Sequence, residues 1–158
     1  MQLHVEALTK EAVSFIHEVF EENRKALHGD SISLNDWYEC LLGSDADPFE
    51  QHFIVMCGEA PAAWLKLNGL NEEAIGISML VVAKSYQHKG IGTYALHYAE
   101  SYARKHKKSA ILIQTTKDNA TATECYLKHG YCIVREMVYQ VGDGIDREGY
   151  AFRKDITL

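Results

Sequence analysis

Two glycines separated by one residue, Gly90 and Gly92, stand between an apolar strand pattern over Ala74–Val82 and a helical pattern over Gly90–His106. A helix that starts at such a turn directs unpaired backbone N–H groups and the positive end of its dipole at one point. Because glycine has no Cβ, an anion can approach this backbone closely, and a diphosphate would fit. The motifs G-x-x-x-x-G-K-[ST] and G-x-G-x-x-G are absent, so the glycines alone indicate a tight turn as readily as a phosphate site.

Other elements must position this turn, and strand-like and helical patterns follow one another in the order β-αα-βββ-α-β-α-ββ. The predicted strands are Gln2–Ala7, His52–Cys57, Ala62–Leu67, Ala74–Val82, Ser109–Thr115, Tyr131–Gln140 and Tyr150–Asp155. Two predicted helices are given by their starting points: one begins after Thr9 and has the apolar stripe Val13, Ile16, Val19 and Phe20, and the other begins after Ser33, buries Leu34, Trp37 and Leu41, and stops at Gly43. Two further helices are predicted over Gly90–His106 and Ala120–His129. We therefore expect a single α/β (α+β) domain with a mixed central sheet over residues 1–158.

The charge is unevenly distributed along the chain. The net charge is −6, which argues against a sequence-independent nucleic-acid binder. Residues 1–50 contain eleven acids and three bases, a net charge of −8, whereas the rest of the chain has a net charge of +2. An acidic first third would suit a cationic substrate, although a solvated acidic surface explains it more simply.

Several classes of protein and site are disfavoured by the sequence. The longest apolar run, Met79–Ala83, is far too short to span a membrane, and the N-terminus lacks the layout of a signal peptide, so we expect a cytoplasmic protein. The four cysteines lie in apolar stretches, as buried thiols do, and form no C-x-x-C pair. The histidines show no ligand spacing, so we predict no metal site.

Two motifs carry a resemblance to a known family. Gln87-x-x-Gly90-x-Gly92, after an apolar strand, resembles the Q/R-x-x-G-x-G/A signature of the GNAT superfamily of acetyl-CoA-dependent N-acetyltransferases. Further along, Asn119–Tyr131 (NATATECYLKHGY) resembles that superfamily's N-x-x-A-x-x-x-Y-x-x-x-G-[FY] element. Both motifs occur in the family's order, and the predicted elements match the family's order across nearly the whole chain.

The resemblance implies a GNAT-like sheet, splayed between its two central strands, with acetyl-CoA as co-substrate. The strand before the signature would be bulged, and the pantetheine arm would lie between Met79–Val82 and Ile111–Gln114. Backbone groups of Leu80 and Val82 would pair with pantetheine amides, backbone N–H groups from Gln87 to Thr93 would hold the pyrophosphate, and Asn119 would bond the pantetheine arm. The implied cofactor-binding residues are Leu80, Val81, Val82, Gln87, His88, Lys89, Gly90, Ile91, Gly92, Thr93, Asn119 and Tyr126.

The implied chemistry is direct attack of an amine on the thioester while both substrates are bound. An N–H near Leu80 would stabilise the oxyanion, and Tyr126 would act as general acid for the leaving thiolate. Many family members carry a glutamate base on the strand before the signature, but Ile75–Met79 contains no carboxylate here. Glu73 is our candidate base; the alternatives are Glu72, Glu18, Glu21, Glu22 or a water chain.

Each of these residues also has a simpler structural interpretation. Tyr126 can be an ordinary core aromatic, since the chain contains nine tyrosines. Asn119 can be a helix cap. Lys89 and Lys128 can be solvated surface lysines rather than phosphate ligands. Trp37 and Trp64 are expected in the core, although Trp37 and its neighbour Tyr38 could also line an acceptor pocket.

Two functions from different classes follow from the resemblance. The first is an N-acetyltransferase for a small-molecule amine or an exposed peptide amine, with a cationic acceptor such as a polyamine, an antibiotic or a lysine-type amine favoured by the acidic segment. The second is a non-catalytic acetyl-CoA-binding sensor or interaction module, favoured by the missing carboxylate. A turn that binds another phosphate ligand is a third, weaker hypothesis. Segment Tyr131–Tyr139 is apolar enough to allow a homodimer through C-terminal strands; we expect no nucleic-acid or membrane partner.

Overall fold

A computed structural model describes residues 1–157, and its elements follow the predicted order. The strands are β1 (Leu3–Ala7), β2 (Gln51–Cys57), β3 (Ala60–Asn68), β4 (Ala74–Val82), β5 (Ala110–Thr116), β6 (Cys132–Gln140) and β7 (Asp146–Asp155). The helices are α1 (Val13–Leu27), α2 (Leu34–Leu42), α3 (Ile91–Lys105) and α4 (Ala120–Lys128). Short 3₁₀ turns lie at Lys10–Ala12 and Lys84–Tyr86. The predicted extent of one domain over residues 1–158 stays a prediction, and its last residue, Leu158, lies outside the described residues.

The strands form one seven-stranded mixed sheet in the order β1-β2-β3-β4-β5-β7-β6. Every neighbouring pair is antiparallel except β4 and β5, which are parallel. Apolar residues of α1 and α2 pack with Ile54, Trp64 and Val81 on one face of the sheet. Residues of α3 pack with alternate residues of β3, β4 and β5 on the opposite face. The two layers of helix hold the central strands in place, and the predicted mixed sheet is confirmed.

The two central strands separate halfway along their length. Parallel pairing of β4 with β5 extends only from Ala74 opposite Ala110 to Ile77 opposite Ile113. Beyond that point β4 continues beside β3, and β5 continues beside β7. The predicted splay is therefore present. On β5 the separated part begins at Gln114 and not, as predicted, at Ile111, because Ile111–Ile113 are still paired with β4.

A bulge in β4 coincides with this separation. Met79 lies opposite Lys66 and Ile77 lies opposite Leu67, which leaves Ser78 without a partner on β3. An extra residue reverses the faces to which the following side chains point. Accordingly, Ile77 packs in the cluster with α3, whereas Met79 packs against the cluster with α1 and α2.

Some details of burial differ from the predictions. Trp37 and Trp64 are buried and pack edge to face with ring centroids 5.5 Å apart, as expected. Leu34 was predicted to be buried but is 37% exposed, because it is the first residue of α2. The prediction that all four cysteines are buried is also wrong, since Cys40 and Cys132 are exposed and the other two are half-buried.

Within residues 1–157, no helix is both long enough and apolar enough to cross a membrane. The same part of the chain contains no group of three or more His, Cys, Asp or Glu side chains arranged to hold a metal ion. The absence of a metal site in the whole protein stays a prediction.

Candidate active site

The turn between β4 and α3 presents a row of unpaired backbone donors. Gly90 precedes the first residue of α3 without a side-chain cap, and the first bond that closes the helix runs from the Tyr94 N–H to the Gly90 carbonyl at 3.0 Å. The N–H groups of residues 88–93 donate to no other group of the described residues 1–157. We call these six consecutive N–H groups the cradle. Together with the positive end of the α3 dipole they form a site for an anion.

Two residues of the cradle have left-handed backbone conformations. Gly90 has φ +81°, which glycine adopts without strain, and His88 has φ +61°, which is strained for a side chain with a Cβ. A Cβ placed on Gly90 would have nothing within 4 Å, and one on Gly92 would only touch Val82 Cγ2 at 3.8 Å. Neither glycine is therefore required by close packing within the protein, which leaves open space in front of the cradle.

The Gln87 side chain fixes the turn rather than facing an incoming anion. Its Nε2 donates to the Val82 carbonyl at 3.0 Å and to Asn23 Oδ1 at 3.2 Å. Its own backbone N–H donates to the Lys84 carbonyl at 3.4 Å, so Gln87 is not part of the cradle. The signature glutamine thus ties the turn to the end of β4 and to α1.

Backbone groups of β4 face the opened cleft. The Ala83 N–H donates to the Ala62 carbonyl of β3 at 2.9 Å, and consecutive strand residues direct their backbone groups to opposite sides. The groups of Val82 and Leu80 therefore point away from β3, towards the side that β5 has left. Those of Val81 point towards β3, and the Val81 side chain is buried against α1 and α2. Leu80 thus has a free N–H in the cleft, whereas the Val82 carbonyl already accepts a bond from Gln87.

Asn119 and Tyr126 lie on α4, beyond the end of β5. Asn119 Oδ1 accepts the Ala122 N–H at 3.2 Å, so this side chain caps the helix, and it also lines the cavity described below. The Tyr126 ring packs edge to face on Phe152 at 5.4 Å, and its hydroxyl bonds to none of the described residues. Burial raises the pKa of Tyr126 to about 12.

Lys89 and Thr93 complete the predicted cofactor set. Lys89 Nζ donates to the Ser85 carbonyl at 3.2 Å and lies 5.7 Å from the centre of the Tyr86 ring. The Thr93 hydroxyl bonds to none of the described residues, although its backbone N–H belongs to the cradle. Lys89 is therefore held within the turn, and Thr93 is available to a ligand.

A cavity of about 910 Å³ opens where β4 and β5 separate. Its floor is formed by residues of β4 and β5, including Ser78, Met79 and Gln114. Its walls come from the loop after α1, the β3–β4 turn and the β6–β7 turn. Asp30 and Glu72 are the carboxylates among its lining residues, which include neither lysine nor arginine. Since neither carboxylate forms an ion pair with a described residue, the cavity carries negative charge.

Comparison with known proteins decides the family. The sequence model of the acetyltransferase (GNAT) family matches residues 10–131, which is more than half of the chain. This protein belongs to the GNAT acetyltransferase family.

Two curated relatives match part of the chain. An uncharacterized N-acetyltransferase from the pepI 3′ region of Lactobacillus delbrueckii subsp. lactis is 30% identical over 99 residues, which cover 58% of this chain and 57% of the relative. Streptothricin acetyltransferase A of Bacillus subtilis is 35% identical over 65 residues, which cover 40% of this chain and 38% of the relative. The matches thus span about half the length of these relatives, or less.

Solved structures share the fold at low sequence identity. Spermidine N-acetyltransferase from Vibrio cholerae, solved with CoA and spermine, superposes with a TM-score of 0.85 at 18% identity and covers 98% of this chain and 95% of that chain. A putative phosphinothricin N-acetyltransferase superposes with a TM-score of 0.80 at 13% identity and covers 99% of this chain and 100% of that chain. These likenesses confirm the GNAT fold.

The candidate bases of this GNAT protein lie in different surroundings. Glu72 lines the cavity, whereas Glu73 does not, and the Glu73 carbonyl accepts the Ser109 N–H at 2.8 Å. Glu21 accepts bonds from the Ser31 hydroxyl and the Ile32 N–H, and Glu22 accepts the Lys84 N–H at 2.8 Å. Glu18 does not line the cavity. Glu73 stays a prediction as the base, and Glu72 has the more direct access to the cavity.

Sequence reasoning missed part of the cavity wall. Trp37 and Tyr38 do not line the cavity, while Asp30, which was not among the predicted site residues, does; Glu72, one of the alternative bases, lines it as well. Asp30 follows the left-handed His28 at the end of α1, a segment that the sequence shows only as a break in the helical pattern. The acidic composition of residues 1–50 was the one sequence signal that indicated an acidic wall.

Proposed function

We propose that this protein transfers the acetyl group of acetyl-CoA to a primary amine of a cationic acceptor. The observation that carries the proposal is the position of two features along β4: the cradle follows the end of this strand, and the acidic cavity opens beside Ser78 and Met79, where β5 separates from it. The row of donors is suited to a diphosphate and the cavity to a cation.

The described residues fit acetyl-CoA at two points. The six N–H groups of the cradle have no acceptor among the described residues, and the space around the Cβ positions of Gly90 and Gly92 is open, which supports a diphosphate site. Leu80 has unpaired backbone groups that can bond an extended arm in the manner of a missing strand. His88, Lys89, Ile91 and Thr93 would contribute mainly through their N–H groups.

Bound acetyl-CoA supplies a thioester whose carbonyl carbon the neutral amine attacks. The new bond joins nitrogen to the acetyl carbon, the carbon–sulfur bond breaks, and the amine loses a proton. In our proposal the Leu80 N–H donates to the carbonyl oxygen as negative charge develops there. Glu72 or Glu73 accepts the amine proton, through water where the distance requires it.

The proposed role of Tyr126 follows from its surroundings. A phenol with a pKa of about 12 is a weaker acid than a thiol, whose ordinary pKa is about 8.5. Complete proton transfer from Tyr126 to the departing thiolate would therefore be uphill. We propose that Tyr126 donates a hydrogen bond to the sulfur and that the proton reaches the thiolate from solvent or from the base.

Charge supports a cationic acceptor. Asp30 and Glu72 form no ion pair with a described residue and lie in a cavity lined by neither lysine nor arginine. The Lys108 ammonium, which donates to the Leu70 and Glu72 carbonyls at 2.7 and 2.8 Å, keeps its positive charge but is not among the lining residues. Among the similar proteins, one is named for spermidine and another for streptothricin, and both names denote amine acceptors. Exposed peptide amines are the other acceptor class that the family membership suggests.

The test is steady-state release of the coenzyme A thiol over a panel of polyamines, aminoglycosides, a streptothricin, amino acids and lysine peptides. We expect turnover with a polycation and a rise in its KM of about tenfold in Asp30→Asn, because the change removes one partly screened charge. Glu72→Gln should raise KM for the same reason, and a fall in kcat as well would assign the base to Glu72 rather than to Glu73. Glu59→Gln, in the β2–β3 turn outside the cavity, is the matched control and should leave KM unchanged. Preferential turnover of neutral amino acids would refute the charge argument.

A non-catalytic acetyl-CoA-binding module of the same fold is the second candidate. It is favoured by the absence of a carboxylate from Ile75–Val82 of β4. Micromolar binding of acetyl-CoA without turnover of any amine would support it.

A homodimer and a cytoplasmic location are also proposals. β6 is an edge strand, and its Val134 and Val138 side chains are 57% and 65% exposed. Such a strand can pair with a second copy of itself. Light scattering of the wild type and of Val138→Lys would test the dimer, and cell fractionation would test the location.

A further inference from the structure

A buried ion pair joins helix α3 to strand β7. The Glu100 side chain, on α3, is only 5% exposed, and its Oε1 accepts Lys154 Nζ of β7 at 3.1 Å. The Tyr131 hydroxyl donates to the other carboxylate oxygen, Oε2, at 3.1 Å. Burial of a carboxylate is costly unless the charge is paired, and here an ammonium and a hydroxyl bond to it.

Lys154 also bonds the C-terminal end of α4. Its ammonium donates at 2.9 Å to the carbonyl of His129, the residue that follows the last turn of this helix. A cation at this end of a helix bonds a carbonyl that has no partner within the helix, and it complements the helix dipole. Glu100 is thereby connected, through one lysine, to the end of α4, while its own helix begins at the cradle.

Tyr126 contacts the residues that form this connection. Its carbonyl accepts the Tyr131 N–H at 3.0 Å and the His129 N–H at 3.1 Å. Its ring lies 6.0 Å from the Tyr131 ring and packs edge to face on Phe152, which is two residues before Lys154 on β7. The direction of the Tyr126 side chain therefore depends on where these neighbours are held.

The rest of α4 does little to fix this direction. Within the described residues, α4 has no fully buried residue, and Tyr126 is its one side chain that packs against the core cluster below α3. Asn119 fixes the opposite end of the helix, through its cap and through its N–H, which donates to the Thr116 carbonyl at 3.1 Å. Because apolar residues of similar volume often replace a buried ion pair without loss of stability, stability alone does not account for Glu100 and Lys154.

We propose that Glu100 and Lys154 are positioning residues, whose ion pair holds the end of α4 so that the Tyr126 hydroxyl meets the sulfur of bound acetyl-CoA. This inference rests on the proposed function and on the proposed role of Tyr126. A small displacement of the hydroxyl lengthens its hydrogen bond and slows the chemical step. The cradle, at the other end of α3, keeps its N–H groups, so the affinity for acetyl-CoA is unaffected.

The experiment compares Lys154→Met alone with Lys154→Met in a Tyr126→Phe protein, using the amine that the wild type acetylates fastest. Methionine is also unbranched but carries no charge. We expect kcat to fall about tenfold, while the KM and Kd for acetyl-CoA stay within about twofold of the wild type. In the Tyr126→Phe protein the same change should leave kcat unaltered, because the hydroxyl that the ion pair positions is already absent.

Two further variants separate positioning from misfolding. Lys154→Met leaves the buried Glu100 carboxylate without its cation, whereas Glu100→Gln combined with Lys154→Met contains neither charge and should fold even where the single variant does not. The combined variant should show the same fall in kcat. The matched control is Arg153→Met, on the same strand, which breaks an ion pair of 2.9 Å with the exposed Asp155 and should leave kcat unchanged. Thermal unfolding of every variant establishes that it is folded in the assay.

The outcomes for the two proposals differ. Equal falls in kcat with and without Tyr126→Phe would overturn the positioning role, as would an unchanged kcat in the folded combined variant. A rise in the Kd for acetyl-CoA as large as the fall in kcat would also overturn it. In each of these cases the proposed function stands, because the wild type acetylates the amine. A wild type that turns over no amine would overturn the proposed function and the positioning role together.

Discussion

The two glycines of the cradle allow folding and cofactor binding to be separated. Gly92 lies in the first turn of α3, and a Cβ there would make one ordinary contact, with Val82 at 3.8 Å. Alanine is favoured over glycine in a helix by about 0.5–1 kcal/mol, so Gly92→Ala should raise Tm by roughly 1–4 °C. Gly90→Ala must adopt φ +81°, which costs about 1–2 kcal/mol and should lower Tm by roughly 2–8 °C.

Gly90→Ala should also weaken acetyl-CoA binding, because its methyl group enters open space at the cradle and moves the anion away from one or more N–H groups. Gly92→Ala should leave binding unchanged, because the signature that this turn resembles accepts either glycine or alanine at that position. A hydrogen bond to a charged group contributes about 1.5–3 kcal/mol, so the loss of one corresponds to a Kd roughly 10- to 100-fold higher. The assay is calorimetric titration with acetyl-CoA, together with thermal unfolding without ligand.

Gly58→Ala is the matched control for strain. Gly58 has φ +62° with no atom within 4 Å of a new Cβ, and it lies in the β2–β3 turn, away from the cradle. It should lower Tm as Gly90→Ala does but leave the Kd unchanged. If Gly90→Ala binds acetyl-CoA as tightly as the wild type, the glycines form only a tight turn and the cradle argument is refuted.

Three further changes test single residues. Tyr126→Phe should lower kcat by about 10- to 100-fold without changing the shape of the pH profile up to about pH 10, because a phenol with a pKa of about 12 stays protonated there; complete loss of activity would instead indicate an essential acid. His52 is buried beside Trp64, and burial lowers its pKa from 6.5 to about 4, so the stability that depends on neutral His52 is present above about pH 6.5 and is lost as the pH falls through 4. Between pH 7.5 and pH 4, the free energy of unfolding measured in urea should therefore fall by up to about 3 kcal/mol more in the wild type than in His52→Gln. Equal falls in the two proteins would contradict this. Asn119→Ala should lower the free energy of unfolding by about 1 kcal/mol, because the helix cap is lost. Asn119→Ser should restore that stability but not the affinity for acetyl-CoA. If serine restored the affinity as well, Asn119 would act only as a helix cap.

Local patterns predicted the elements on which the site stands. The range Ala74–Val82 was predicted as a strand and is β4, because its apolar run and the turn residues before it are local signals. The start of α3 was predicted within one residue, since Gly90 and Gly92 mark the turn. The splay and bulge were implied only by resemblance to the GNAT family, because the position of Ser78 opposite β3 depends on pairing that no single segment encodes.

Long-range contacts explain what the sequence did not predict. His28 and Asp118 lie 90 residues apart in the chain, so the contact between their loops has no local signature. The role of Gln87 as a tie to Asn23 and Val82 likewise depends on how α1 packs beside β4. Exposure of Cys132 follows from the edge position of β6, which the apolar character of that segment does not reveal.

The most direct test of the central claim is mass spectrometry of a polyamine incubated with acetyl-CoA and the protein, with the free thiol assayed in parallel. We predict that one acetyl group appears on the polyamine for each thiol released, and that Gly90→Ala slows both equally at limiting acetyl-CoA. Bound acetyl-CoA without an acetylated amine, or thiol released by hydrolysis alone, would contradict the account.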